Sequence, residues 1–366
     1  MTSQQWPNWL PLRKELQEMS AYGAPQVEAL ARLNTNENPY SPSADLVDAL
    51  ALAVKQVSAT LNRYPDRDAK ELRRNLANYL NELSGTDLST QNIWAANGSN
   101  EIIQSLFLAF GCRSAIGFTP SYAMHPLIAR VTQTGWIDGA RTPIFAIDLT
   151  AARLQILTES PSLVFVTTPN NPTGTVTSIP EIVELAKLCE QVGALLVIDE
   201  AYAEFSSEPS AITLIADIPR LVVVRTMSKA FAFAGARIGY LAADPLVVEA
   251  MALVRLPYHL SAITQAAGLV ALEHRASLLE NVNSLRVDRE LLATELRAMG
   301  AQVLPSSANF LLFSVSDSAG IWTRLLNMGV LIRDVGLSGY LRVTIGTPEE
   351  NLRFLEALRG SIEGEK

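Results

Sequence analysis

The sequence predicts an α/β protein: a doubly wound, mostly parallel sheet in a large domain, a smaller α+β domain at the C-terminus, and an N-terminal arm. Three observations carry this. Four short apolar runs, SAIGFT (114–119), SLVFVT (162–167), ALLVID (194–199) and LVVVRT (221–226), have the near-continuous hydrophobicity of strands buried on both faces. Amphipathic stretches such as EIIQSLFLAF (101–110) and IPEIVELAKLCEQVG (179–193) lie between them. Strand, crossover helix, strand is the pattern of a parallel sheet covered on both sides. A chain of 366 residues also exceeds what one simple core organises.

Along the chain, residues 1–40 read as an arm, interrupted by Pro7, Pro11, Gly23, Pro25 and Pro39. Apolar residues at helical spacing predict a helix after Ser43, over ADLVDALALAVKQV, and another over DAKELRRNLANYLNEL from about Asp68. From about residue 93 strands and helices alternate, and 246–300 reads as mostly helical. VLPSSANFLLFSV, GVLIRD and LRVTIG then read as strands, with a helical IWTRLLNMG between the first two. The expected division is an arm over 1–40, a large domain over 41–284 and a small domain over 285–366, with a long helix able to bridge the last boundary.

Composition narrows the function. Hydrophobic residues make up 48% and charged residues 18%, a globular balance. A net charge of −8 argues against general affinity for nucleic acid, so an anionic ligand needs a local cluster of Arg and backbone N–H groups. Two cysteines, Cys112 and Cys189, exclude a disulfide framework and fit a reducing compartment; both read as buried thiols. His125, His259 and His274 are scattered, without CxxC or HExxH, so no metal is expected. The first twenty residues lack the apolar stretch of a signal peptide, and the longest apolar runs are far shorter than a membrane span. A soluble, cytoplasmic protein without a membrane partner is the expectation.

Open α/β sheets bind ligands beyond the carboxyl ends of their strands. After SLVFVT stands Thr168-Pro169-Asn170-Asn171-Pro172-Thr173-Gly174, a rigid turn able to aim an amide into a cleft. ALLVID ends in Asp199, a carboxylate that needs a cationic or donor partner if buried. LVVVRT ends in Thr226-Met227-Ser228-Lys229. Of the six lysines, only Lys229 sits among small and apolar residues, where a depressed pKa suits a Schiff-base nucleophile. Asn97-Gly98-Ser99-Asn100 leads into a helix N-terminus that can present N–H groups to a phosphate, and Arg237 can neutralise the same group. Each feature alone has an ordinary alternative: a plain turn, a helix cap, a snorkelling lysine, a surface arginine. Together they match the needs of pyridoxal 5′-phosphate, which takes a lysine, an acidic partner for its pyridine nitrogen and a phosphate site.

PNNPTG, then VIDEAY, then SKAFAFAGARIGY resembles the fold-type-I pyridoxal-phosphate-dependent aminotransferases. LNTNENPYSPS (33–43), RYPD (63–66), PSYAMHP (120–126) and YLRVTIGTPEEN (340–351) narrow the resemblance to the histidinol-phosphate aminotransferase group, over about residues 22 to 355. The resemblance implies that Lys229 is the catalytic Schiff-base lysine and that Asp199 pairs with the pyridine nitrogen. It further implies that Asn171 and Tyr202 bond the ring hydroxylate and that Tyr122 stacks on the ring. Ser99 and Asn100 through their N–H groups, with Thr226, Ser228 and Arg237, would hold the cofactor phosphate. Tyr64 would reach it from the neighbouring subunit of a homodimer. Arg342 and Arg333 would grip substrate anions, with Tyr22 and Asn36 at the mouth. Many members of the group carry an acidic residue where this chain has Asn100, which separates its side chain from its backbone role. The implied substrates are L-histidinol phosphate and glutamate or 2-oxoglutarate. The rivals are an aromatic amino-acid aminotransferase of the same subfamily, a pyridoxal-phosphate decarboxylase of an amino-acid phosphate, and a non-catalytic binding module on the same fold.

Overall fold

A computed structural model describes residues 6–363. Residues 1–5, where the expected arm begins, and 364–366, where the expected small domain ends, lie outside the described residues.

The arm contains α1 (Lys14–Gln17) and β1 (Ala31–Arg32). The helix α2 (Ala44–Ser58) starts where Ser43 Oγ accepts from the Leu46 N–H. The next helix, α3 (Lys70–Ser84), begins two residues after Asp68. Asp66 Oδ2 accepts the Lys70 N–H at 2.8 Å, while Asp68 pairs with Arg255 instead. Then come β2 (Ile93–Ala96), α4 (Ser99–Phe110), β3 (Ser114–Phe118), α5 (Met124–Val131), β4 (Gly135–Gly139) and α6 (Leu149–Glu159). They are followed by β5 (Leu163–Thr167), α7 (Ile179–Val192), β6 (Leu195–Asp199), β7 (Leu221–Thr226) and β8 (Gly239–Ala243). The helices α8 (Pro245–Val254), α9 (Ala262–Glu273) and α10 (Arg275–Ala298) lead to β9 (Phe310–Ser314), α11 (Ser318–Asn327), β10 (Val330–Leu331), β11 (Tyr340–Thr344) and α12 (Pro348–Glu363).

Seven strands form the central sheet in the order β2-β8-β7-β6-β5-β3-β4, and only β8 runs against its neighbours. Alternate residues of the middle strands enter two separate cores. Val164, Val166, Leu196 and Ile198 face one, with α3, α6 and α7; Leu163, Phe165, Val197 and Val222 face the other, with α4, α5 and α8. Burial on both faces is why these strands read as unbroken apolar runs. Three strands escaped that reading. The edge strand β4 buries only Gly139; β2 is a short edge strand; β8 is built partly of Gly and Ala. None presents an apolar run long enough to stand out.

Near the C-terminus β9 and β11 pair antiparallel, and β1 pairs parallel with β10. The Leu33 N–H donates to Leu331 O at 2.8 Å and the Thr344 N–H to Leu33 O at 2.9 Å, so the arm segment lies between β10 and β11. Of VLPSSANFLLFSV only residues 310–314 form a strand; Ser306 Oγ donates to Phe310 O and turns the preceding chain. GVLIRD contributes just Val330–Leu331, plus an isolated bridge of Arg333 to Arg342. The 24-residue α10 runs straight through position 285. Cys189 is buried as expected, but Cys112 is exposed in the turn after α4. Among the described residues no helix is long and apolar enough to cross a membrane.

Candidate active site

The carboxyl ends of β5, β6 and β7 and the N-terminus of α4 open into a cleft of about 520 Å³. Tyr22, Asn36, Ser99, Asn100, Tyr122, Asn171, Asp199, Tyr202, Thr226, Ser228, Lys229, Arg237, Arg333 and Arg342 all line it. Tyr64 does not. It is 78% exposed and stacks on Tyr258 at 4.3 Å, outside the cleft of its own chain.

Lys229 follows β7 and its Nζ donates to Thr35 O at 2.8 Å. Burial first, then the positive charges of Arg342 and Arg237, push its ammonium down to about 8, with Glu37 opposing. A fraction of this amine is therefore neutral near pH 7, as a nucleophile or proton acceptor requires.

Asp199 is 2% exposed, and its Oδ2 lies 3.1 Å from His125 Nε2. His125 is itself buried, edge-on to Tyr122 at 5.4 Å and packed on Phe165. The sequence reading treated this histidine as one of three scattered ones. Its signal was the spacing in PSYAMHP: Tyr122 stands two residues before α5 and His125 in its first turn, where the His125 N–H donates to Tyr122 O at 3.2 Å.

Tyr202 is buried, which raises its hydroxyl above the ordinary range. That hydroxyl accepts from Asn36 Nδ2 at 2.9 Å and Asn171 Nδ2 at 3.5 Å. Asn171 Oδ1 also accepts from Arg342 Nη1, so one amide connects the Tyr202 side of the cleft to the arginine side. The neighbouring Asn170 is fully buried and holds its own turn through Pro120 O and Thr173 Oγ1. Tyr122 OH donates to Asn100 Oδ1 at 3.1 Å.

A cradle of donors closes one end. Gly98 has φ 85, and a Cβ there would come within 2.6 Å of Arg237 Nη2; one on Gly239 would strike the Gly98–Ser99 backbone. Beside the α4 N-terminus stand the Thr226 and Ser228 hydroxyls, 3.0 Å apart, and Arg237 Nη1 donates to Ser228 Oγ at 3.3 Å. Glu101, the acid of that first turn, is occupied by the Asn97 N–H at 2.6 Å. Backbone N–H groups, hydroxyls and a guanidinium suit a phosphate.

At the other end Arg333 and Arg342 exchange backbone hydrogen bonds at 3.0 and 2.9 Å as an antiparallel pair. Residues so paired share one face, and both side chains line the cleft. Arg342 is 6% exposed; its Nη2 donates to Asn34 O at 2.7 Å, its guanidinium lies 5.1 Å over Phe310, and its Nε has no partner. Two guanidiniums side by side make an anion site. Tyr22 is half-exposed on the rim. Among the described residues no three His, Cys, Asp or Glu side chains group to hold a metal.

The sequence profile of aminotransferase class I and II matches residues 29–358. A histidinol-phosphate aminotransferase of Mycobacterium sp. (strain JLS) is 52% identical over 360 residues, covering 97% of this chain and 95% of the relative. The protein of that name from Mycolicibacterium smegmatis is 53% identical over 353 residues, covering 95% of this chain and 92% of its own. The structure of histidinol-phosphate aminotransferase from Sinorhizobium meliloti in complex with pyridoxal-5′-phosphate superposes with a TM-score of 0.85. It is 24% identical and covers 97% of this chain and 98% of that one, a likeness of fold.

Proposed function

This chain belongs to the class I and II aminotransferases, within them to the histidinol-phosphate aminotransferases, and from that premise we propose its reaction and the part each residue plays. The reaction is transamination of L-histidinol phosphate with 2-oxoglutarate, giving imidazole-acetol phosphate and glutamate, a step of histidine biosynthesis. The cofactor is pyridoxal 5′-phosphate, which when bound supplies the electron sink for charge developing at the substrate α-carbon.

The residues fit that group. The donor cradle of Ser99, Asn100, Thr226, Ser228 and Arg237 would hold its phosphate. The Asp199 carboxylate, kept in place by His125, would hold a proton on its ring nitrogen. Asn171 and Tyr202 would donate to its ring oxygen, and Tyr122 would cover one ring face. Lys229 Nζ, poised near pH 8, would carry the covalent attachment and then move the proton to and from the substrate α-carbon. Arg333 and Arg342 would take the substrate phosphate in one half-reaction and carboxylates in the other, with Tyr22 and Asn36 narrowing the mouth.

The observation that supports the substrate assignment is this paired set of arginines lining the same cleft as Lys229. The names of the relatives at 52% and 53% identity leave the aromatic amino-acid alternative unfavoured. We also read the enzyme as a cytoplasmic homodimer in which Tyr64 completes the neighbouring site. The exposed Leu61, Tyr64, Leu256 and Tyr258 support a covered face there. The expected division into arm (1–40), large domain (41–284) and small domain (285–366) belongs to the same reading, with α10 spanning the boundary.

The test is an absorption spectrum of the holoenzyme, titrated with L-histidinol phosphate and then 2-oxoglutarate. The visible band should bleach with the first and return with the second. A response to phenylalanine with none to histidinol phosphate would move the assignment to the aromatic enzymes, and no band after added cofactor would remove the cofactor role of Lys229.

A further inference from the structure

Directly behind the cleft, the strand ends carry a second set of side chains. Glu200 follows Asp199, Arg225 precedes Thr226, and Glu204 lies two residues beyond Tyr202. Successive residues of a strand point to opposite faces, so what holds Glu200 and Arg225 on one face also orients Asp199 and Thr226 on the other.

These groups are held tightly. The Arg225 side chain is 1% exposed, Glu200 3% and Glu204 4%. Every nitrogen of the Arg225 fork is used: Nε donates to Glu200 Oε2 at 2.9 Å, Nη1 to Glu204 Oε1 at 2.9 Å, and Nη2 to Ser210 Oγ at 2.9 Å. Glu200 also accepts from Ser210 Oγ and from the Ala211 N–H, each at 2.7 Å. One guanidinium thus ties together the ends of β6 and β7, the turn after Tyr202 and the loop reaching Ala211. Packed apolar side chains hold a core at less cost in desolvation than buried ions do. What the ions add is direction: a planar fork satisfied at three points permits one arrangement of the chains that meet on it.

We infer that Arg225 is a positioning residue for the cofactor site: through Glu200 and Glu204 it sets the depth and rotation at which Asp199, Tyr202 and Thr226 face the cleft. The inference rests on the roles proposed above for those three residues.

Arg225→Lys keeps the charge and loses the fork. It is compared with wild type and with Leu358→Ala, a core substitution in α12 that does not line the cleft, after matching the loss of melting temperature. The readouts are pyridoxal 5′-phosphate dissociation from the apoprotein, followed by tryptophan fluorescence, and the pH midpoint of the bound-cofactor absorbance. Arg225→Lys should bind the cofactor about tenfold more weakly, the equivalent of one charge-assisted hydrogen bond, and should shift the midpoint. Leu358→Ala should change neither. Equal values in the two variants would reduce Arg225 to a stability role and overturn the inference. If Arg225→Lys does not fold, isosteric Glu204→Gln is read the same way, and wild-type values in it overturn the inference. Failure of the wild type to bind the cofactor strikes the proposed function itself, and is seen before any variant is made.

Discussion

Thr226, Ser228, Lys229 and Arg237 reach the cleft from one short stretch of chain, the turn that follows β7. On the facing wall, Arg342 holds the carbonyl of Asn34 and Thr344 holds Asn36, partners 308 residues apart. The first wall is a local product of strand, turn and small residues. The second exists only once the arm has threaded between β10 and β11. Binding at the phosphate cradle should therefore tolerate disturbance of the arm better than substrate binding does, while Lys229 and Tyr202, which touch the arm at Thr35 O and Asn36, link the two walls.

The largest test of this contrast is Lys229→Met. Removing the amine proposed to attach the cofactor and move the proton should lower kcat by about 10⁴-fold or more while substrate still binds. Single-turnover absorbance measures both. Retained turnover would take the chemistry away from this wall.

A middle-sized effect is expected on the other wall. Arg342→Lys loses the fork that meets Asn34 and Asn171 and, in the proposed role, an incoming anion, so kcat/KM should fall about 10- to 100-fold, mostly through KM. Pyridoxal-phosphate affinity should fall by less, through the Asn171 amide that Arg342 holds. An equal loss of cofactor affinity would show that the walls are not separable.

The smallest effect sharpens the coupling between them. The Lys229 ammonium is lowered from 10.5 to about 8, partly by Arg342. Amine-selective labelling of the apoprotein should show a midpoint near pH 8 for Lys229, and Arg342→Met should move it upward. The sign for stability follows. Between pH 8 and 10.5 the unfolded chain binds the extra proton, so the apoprotein gains stability as pH rises through that window; below 8 the penalty of burial is present in full. Lys229→Met removes the penalty, so its stability advantage over wild type should shrink between pH 7.5 and pH 10. Urea midpoints at the two values measure it, and a constant gap would contradict the lowered pKa.

The middle strands β3, β5, β6 and β7 were legible because burial on both faces leaves one kind of residue possible at nearly every position. The edge strands β2 and β4 and the reversed β8 were not, because pairing on one side or small side chains leave no such run. The same division runs through the site. Lys229, Asp199 and Asn171 stand at the ends of legible strands, so local chemistry named them. His125 did not announce itself, since its worth lies in facing Asp199, which is 74 residues away.

What the sequence by itself determined was the α/β class, the strand-end positions of the lysine, carboxylate and amide, and, by resemblance, the aminotransferase family. Each follows from short-range pattern: hydrophobic runs, turn residues and motif order. Only the tertiary structure decided that Arg333 and Arg342 stand opposite one another and that Asn34 from the arm holds Arg342; Asn36 at that mouth is named by resemblance. The tertiary structure also decided that an arginine hidden behind Thr226 ties the strand ends together. Those are contacts between segments distant in the chain, and no local propensity encodes a distance in space.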